Sequence, residues 1–175
     1  REDMRGTPYE NAEIHLTEWS SSPSPRDTVH DTAFMTSYLI DRNWMARGVV
    51  DSLAFWVVSD IFEENRLGDT PFHGGFGLVN VQGIKKPSFH AYYLLSLLGT
   101  EELDGGEDYA VTRREDGTIV ILVWNYAHYE EGKNSFDHRV HGDARTQNGK
   151  DIYDIFEETG AKSFHFTCSG LPDKV

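Results

Sequence analysis

Ile14-His15-Leu16-Thr17-Glu18-Trp19-Ser20 is the stretch on which the fold turns. Ile14 and Leu16 alternate with His15 and Thr17, the two-residue period of a strand with unlike faces. A carboxylate follows where this strand, expected from about Glu13 to Glu18, enters the Ser- and Pro-rich loop Ser20–Asp27. Taken alone, Glu18 is either a solvated loop acid or a functional one, and its neighbours must decide.

Working outward, Thr28–Asp31 supplies helix-capping residues. Thr32–Met45, with Phe34 and Tyr38 at i,i+4, predicts a helix that ends near Arg47-Gly48. Val49–Ser59 is the most apolar run of the chain, and its Val, Leu, Phe and Trp content predicts a strand covered on both faces. A long connection follows, from Asp60 through the Gly-rich Pro71–Gly77, and long loops after buried strands are more often functional than idle. Pro87-Ser88 opens a second helix, with Ala91, Leu94, Leu95 and Leu98 on one face and Gly99 as its stop. The order strand, helix, strand, loop, helix is that of two consecutive βα units.

Beyond residue 100 the pattern changes. Glu101–Glu107 is an acidic, Gly-containing stretch expected to be a linker, and a domain boundary is placed there, dividing residues 1–100 from 101–175. Tyr109–Arg114 and Thr118–Tyr126 alternate around Asp116-Gly117, the signature of a hairpin with a tight mirror-image turn. Tyr129–Lys150 is expected as a polar loop, with further strands at Asp151–Phe156 and Ser163–Ser169.

Composition narrows the partners. The 175 residues are 38% hydrophobic, enough for one ordinary domain or two small ones with cores of their own. Sixteen Lys and Arg against 29 Asp and Glu give a net charge of -13, which disfavours nucleic acids and anionic membranes and suits a neutral substrate. No apolar run approaches the roughly 18 to 20 residues that span a bilayer, and the first residues lack the apolar core of a signal peptide. Cys168 stands alone, so it forms no internal disulfide, and it is expected as a small buried hydrophobe. These features point to a cytoplasmic protein. The first residue is not Met, so upstream sequence is expected to be missing. The eight histidines show no pair at metal-ligand spacing on a predicted helix, and neither metal nor cofactor is expected.

Two βα units cannot close a barrel, and an isolated pair leaves its sheet edges open. Residues 1–100 are therefore expected to be part of a larger assembly, or to associate through those edges as a homo-oligomer. In a (β/α)8 barrel, Glu18 and the pair Glu63/Glu64 would share the C-terminal face where such barrels do their chemistry.

Four segments carry a specific likeness: Thr17-Glu18-Trp19-Ser20; His30-Asp31-Thr32; Phe55-Trp56-Val57-Val58-Ser59-Asp60-Ile61-Phe62-Glu63-Glu64; and Phe72-His73-Gly74-Gly75-Phe76-Gly77-Leu78. In order and spacing they resemble the C-terminal third of the barrel in glycoside hydrolase family 39, above all its bacterial β-xylosidases. The likeness runs over about residues 10–160 and includes Val123-Trp124-Asn125-Tyr126 as part of an accessory β-sandwich. It implies an α/β fold: the last two βα units of a (β/α)8 (TIM) barrel followed by a partial antiparallel β-sandwich. It also implies a retaining glycosidase that removes β-linked xylose, with Glu18 as nucleophile, Trp56 as the sugar platform and Glu63 and Glu64 as contacts to sugar hydroxyls. In related barrels the peptide after this Trp is often cis.

The family's general acid lies in an Asn-Glu-Pro motif, and this chain contains none. Glu63 and Glu64 are also weighed as a solvated acidic loop or as a substitute acid, and Trp56 as a core residue. His73 and His30 either donate to a substrate hydroxyl or hold structure. Phe72 and Phe76 either wall the pocket or plug the loop, and Trp19 is expected to pack. Two alternatives stay open: a non-catalytic carbohydrate-binding or interaction module, and a glycosidase of other specificity such as an α-L-iduronidase, whose motifs match less well. Arg66 is the only Lys or Arg between residues 48 and 84, which favours a neutral sugar over a carboxylate-bearing one.

Overall fold

The computed structural model describes residues 1–62, 67–128 and 158–170. Within them the chain is mixed α/β, with the order β1 (His15–Trp19), α1 (Phe34–Met45), β2 (Ser52–Phe55), α2 (Pro87–Ser96), β3 (Glu101–Gly105), β4 (Tyr109–Arg113) and β5 (Ile119–Val123). β1 and β2 form a two-stranded parallel sheet, and β3, β4 and β5 a three-stranded antiparallel one in sequence order. The expected βα units and hairpin are present. No described helix is long and apolar enough to cross a membrane.

α1 is the hub. Phe34, Met35, Leu39, Ile40, Asp41 and Trp44 are all buried along its twelve residues, because α2 covers one side and the antiparallel sheet another. The core cluster joins these side chains to Val29, Ala91 of α2, Ala110 of β4 and Trp124. Ala91 is 0% exposed, and its small side chain lets the two helices approach. The i,i+4 pair Phe34/Tyr38 stacks at 5.4 Å, and Tyr38 reaches on to Trp19 at 6.1 Å, so α1 also backs the end of β1. The expected helix start at Thr32 shifts by two residues. Thr28–Asp31 forms a 3-10 turn instead, capped by the Asp27 carboxylate, which accepts from Val29 N–H at 3.2 Å.

Four expectations about β structure between residues 49 and 118 are corrected. The apolar run Val49–Ser59 is not one strand. Val49 and Val50 still belong to the turn after α1, donating to the Ala46 carbonyl at 3.0 and 3.1 Å, and the chain leaves the sheet after Phe55. Nor is β2 covered on both faces: Ser52 and Ala54 are exposed while Leu53 and Phe55 are half-buried. The acidic stretch at 101–107 is no linker, since β3 pairs with β4 from Glu101↔Arg113 to Gly105↔Ala110. Arg113 on Glu101 and Arg47 on Glu102 offset the acids that disfavour a strand there. The hairpin turn is wider than a two-residue one. Gly117 N–H donates to Arg114 O and Arg114 N–H to Thr118 O, both at 2.9 Å, with Gly117, the one glycine of the turn, at φ 85°.

At the C-terminal end, residues 163–169 run without strand pairing, their Phe164 and Phe166 rings lying 6.2 and 5.5 Å from Tyr109. Cys168 is exposed, not buried as expected, because this segment lies on the surface of the described structure. The loop expected at 129–150 and the strand at 151–156 lie outside the described residues.

Candidate active site

The pairing of β1 with β2 decides where Glu18 points. Leu16 pairs with Leu53 and Trp19 with Phe55, so three steps along β1 match two along β2. Thr17 and Glu18 therefore stand together against Ala54, the arrangement of a β-bulge. Leu53 and Phe55 turn towards the helices, Phe55 meeting Tyr92 of α2 at 5.8 Å, and Trp19 joins them edge-on at 6.1 Å. Thr17, Glu18 and Ala54, between these two pairs, are all exposed. Glu18 is exposed, and among the described residues its carboxylate makes no hydrogen bond or ion pair.

Trp56 stands at the same end, because the strands are parallel. Its N–H donates to Trp19 O at 3.0 Å, one step beyond the last strand pair, so Glu18 and Trp56 flank the Trp19–Phe55 rung. Its ring is half-buried, and the Trp56–Val57 peptide is cis. The indole N–H of Trp56 is buried without a partner among the described residues.

The remaining candidates are less converged. Glu63 and Glu64 lie outside the described residues. His73 is buried in its own loop, with Nδ1 donating to Thr70 O at 2.9 Å and its ring so close to Gly68 that a Cβ there would overlap it. Phe72 is 48% exposed. Phe76 is the plug of this loop: it is buried and meets the His30 ring at 5.0 Å. His30 is structural. Its Nδ1 donates to Gly74 O at 2.9 Å and its Nε2 faces Ser22 Oγ at 3.4 Å, so it joins the loop after β1 to the loop after β2. Trp19 packs, as expected.

Burial holds the His30 imidazole below its ordinary value of 6.5, with Lys86 acting in the same sense and Asp27, the Gly74 carbonyl and Asp31 opposing. The folded chain thus binds this proton more weakly than the unfolded chain. The stability contributed by neutral His30 is full above pH 6.5 and is lost as pH falls from 6.5 towards the lower folded value. The melting temperature is expected to fall between about pH 7.5 and 5.5. His30→Gln should flatten that slope, and an unchanged slope would count against this assignment.

Sequence patterns did not single out a buried charged group behind these loops. Lys86, Asp31 and Asp60 are joined there, with Lys86 Nζ 2.6 Å from Asp31 Oδ1 and 3.4 Å from Asp60 Oδ2. One signal was available: a Lys immediately before the helix-opening Pro87 is a poor N-cap, with the wrong charge for a helix N-terminus. Among the described residues, no group of three or more His, Cys, Asp or Glu is placed to hold a metal ion. A cavity of about 480 Å³ lined by Thr36, Ile40, Leu94 and Trp124, among others, lies between the helices and the antiparallel sheet, away from Glu18.

The sequence model of glycosyl hydrolases family 39 matches residues 5–140. A β-xylosidase of Geobacillus stearothermophilus is 41% identical over 122 residues, covering 70% of this chain and 24% of that protein. One of Caldicellulosiruptor saccharolyticus is 42% identical over 95 residues, covering 52% and 19%. Among solved structures, the GH39 enzyme of Xanthomonas axonopodis pv. citri superposes with a TM-score of 0.66 at 34% identity, over 71% of this chain and 25% of that one. A GH39 β-xylosidase of Caulobacter crescentus gives 0.65 at 35%, over 72% and 29%. The chain thus spans about a quarter or less of the length of the curated relatives it matches. With the motifs around Glu18, Trp56 and the Gly-rich loop inside the matched region, the chain belongs to glycosyl hydrolases family 39.

Proposed function

We propose that this chain is the C-terminal part of a retaining glycoside hydrolase that removes β-linked xylose, with Glu18 as its nucleophile. The observation that carries the proposal is Glu18 itself: an exposed carboxylate without a partner among the described residues, set at the register shift of β1 at the same strand end as Trp56. The names of the relatives support a xyloside as substrate. In this reading β1-α1 and β2-α2 are the last two units of a (β/α)8 barrel, residues 1–100, and the antiparallel sheet is part of an accessory β-sandwich in residues 101–175.

The chemistry runs in two steps. The ionised Glu18 carboxylate attacks the anomeric carbon, the glycosidic C–O bond breaks, and the leaving oxygen takes a proton from a carboxylic acid about 5 to 5.5 Å away. The same acid, now a carboxylate, then removes a proton from water, which attacks the anomeric carbon and releases Glu18. Two inversions give net retention. Trp56 offers an aromatic face to the apolar side of the pyranose, while Glu63, Glu64 and His73 fix hydroxyls and Phe72 walls the pocket. The acid itself lies on a segment outside this chain, which has no Asn-Glu-Pro motif.

The test is stereochemical. NMR of the full-length protein acting on an aryl β-xyloside should show the β-anomer of xylose first; α-xylose first would rule out retention. The 175-residue chain alone is expected to give no detectable turnover and, because among the described residues no further strand covers either edge of its parallel sheet, to self-associate in sedimentation. Turnover by this chain would refute the missing-acid account, and a stable monomer would refute the open-edge account. Saturable xylose binding by the chain alone would favour a binding module instead.

A further inference from the structure

Lys86 is fully buried at the N-cap of α2, where its side chain makes no cap bond. Its ammonium is used elsewhere. Nζ donates to Gly75 O at 2.7 Å, meets Asp31 Oδ1 at 2.6 Å, and lies 3.5 and 3.4 Å from the two Asp60 oxygens. Each carboxylate also holds the loop backbone: Asp31 Oδ2 accepts Gly74 N–H and Asp60 Oδ1 accepts Gly77 N–H, both at 2.6 Å. Three backbone groups in four residues are thus clamped from one charged centre. The segment can lie this close only because it is glycine-rich. Gly74 sits at φ 78°, with a Cβ there only 2.5 Å from the Asp27 backbone, and a Cβ on Gly77 would overlap the Asp60 amide.

The clamped segment touches both strand ends of the site. Val57 N–H donates to Phe76 O at 3.4 Å and Leu78 N–H to Val57 O at 2.9 Å, so it backs the chain directly after Trp56. On its other side Gly74 O accepts a hydrogen bond from His30 Nδ1, and His30 faces Ser22, which donates to Asp27 at 2.7 Å in the loop leaving Glu18. A continuous buried path therefore runs from the loop after β1, through His30, Gly74 and Lys86, to the connection after β2.

We infer that Lys86 is a positioning residue that, through Asp31, Asp60 and the Gly74–Gly77 backbone, fixes the strand ends carrying Glu18 and Trp56 relative to each other. The inference rests on the glycosidase reading of those two residues. Stability alone does not account for such a group. Buried ion pairs lose on desolvation much of what they gain by attraction, and neutral side chains of similar volume often serve stability equally well. What a neutral replacement loses is the fixed set of directions, and a displacement of about 1 Å at a reacting centre can cost roughly 100-fold in rate.

The experiment compares the full-length protein with the charge-free triple variant Lys86→Met/Asp31→Asn/Asp60→Asn and with the near-isosteric single variant Asp60→Asn. Well below the melting temperature, the triple variant should keep the parent's circular dichroism and lose about 10- to 100-fold in kcat on an aryl β-xyloside, with KM changed less than about threefold. Amide exchange at Gly74 and Gly77 should quicken in the same variant. Asp60→Asn, which keeps an acceptor for Gly77, should lose at least about threefold in kcat, and it decides the matter if the triple variant does not fold. Parental kcat with parental exchange in a folded variant would overturn the inference. If the parent itself turns over no xyloside, the glycosidase reading fails separately, and exchange at the two glycines alone judges the clamp: faster exchange upholds it, and unchanged protection overturns it.

Discussion

Glu18→Gln in the full-length protein is expected to lower kcat on an aryl β-xyloside by about 10⁴-fold or more, equivalent to at least about 5 kcal/mol of transition-state stabilisation. The amide matches the carboxylate in size but is a far weaker nucleophile, and it cannot form the same glycosyl ester. The native side chain is exposed and makes no hydrogen bond or ion pair among the described residues, so the change should leave stability within about 0.5 kcal/mol. Lost activity would then be a loss of chemistry rather than of folded protein. Glu13→Gln, two residues before the same strand begins, should leave kcat unchanged. A Glu18→Gln enzyme within tenfold of the parent would remove Glu18 from the mechanism.

The second large effect concerns the scaffold. Trp44→Ala should destabilise the chain by about 3 to 5 kcal/mol, a sizeable part of what holds an ordinary domain together. Trp44 is buried where α1 meets the antiparallel sheet, edge-on to Trp124 at 6.1 Å, with its indole N–H donating to Gly106 O at 3.1 Å. Arg47 lies over the ring, 3.0 Å from its centroid, and a Cβ on Gly105 would come within 2.5 Å of the indole. Truncation leaves a cavity, an unpaired carbonyl and a strand without its support. Urea unfolding of the chain measures the effect, and Trp44→Phe, which loses mainly the N–H bond, should cost less. A shift below about 1 kcal/mol for Trp44→Ala would mean that α1 does not anchor the sheet through this residue.

Periodicity makes much of this scaffold legible in the sequence alone. The alternation around Leu16 gave β1, and Phe34/Tyr38 and Ala91/Leu94/Leu95 marked the faces on which α1 and α2 pack. The candidate nucleophile was visible for the same reason, at the end of an alternating strand. Patterns failed where local composition and tertiary context disagree. Val49–Ser59 is uniformly apolar, so nothing in its composition marks the turn before Ser52 or the departure after Phe55. Glu101–Gly105 looks like a linker by charge, yet β4 supplies its backbone partners and Arg47 and Arg113 its counter-charges, none of them local in sequence. The bulge at Thr17-Glu18 depends on the register with β2 and has no signature within β1. The buried Lys86 group escaped because hydropathy assigns charged residues to the surface. Only its misplaced position before Pro87 hinted otherwise.

Trapping the glycosyl-enzyme tests the central claim most directly. An activated 2-deoxy-2-fluoro-xyloside disfavours the positive charge that develops at the anomeric carbon in both steps, while its good leaving group keeps the first step fast, so the covalent intermediate accumulates. Mass spectrometry of the full-length protein should then show the addition of one fluoroxylosyl group, and peptide mapping should place it on Glu18. A label on any other carboxylate, or inversion of configuration with no label at all, would contradict the account.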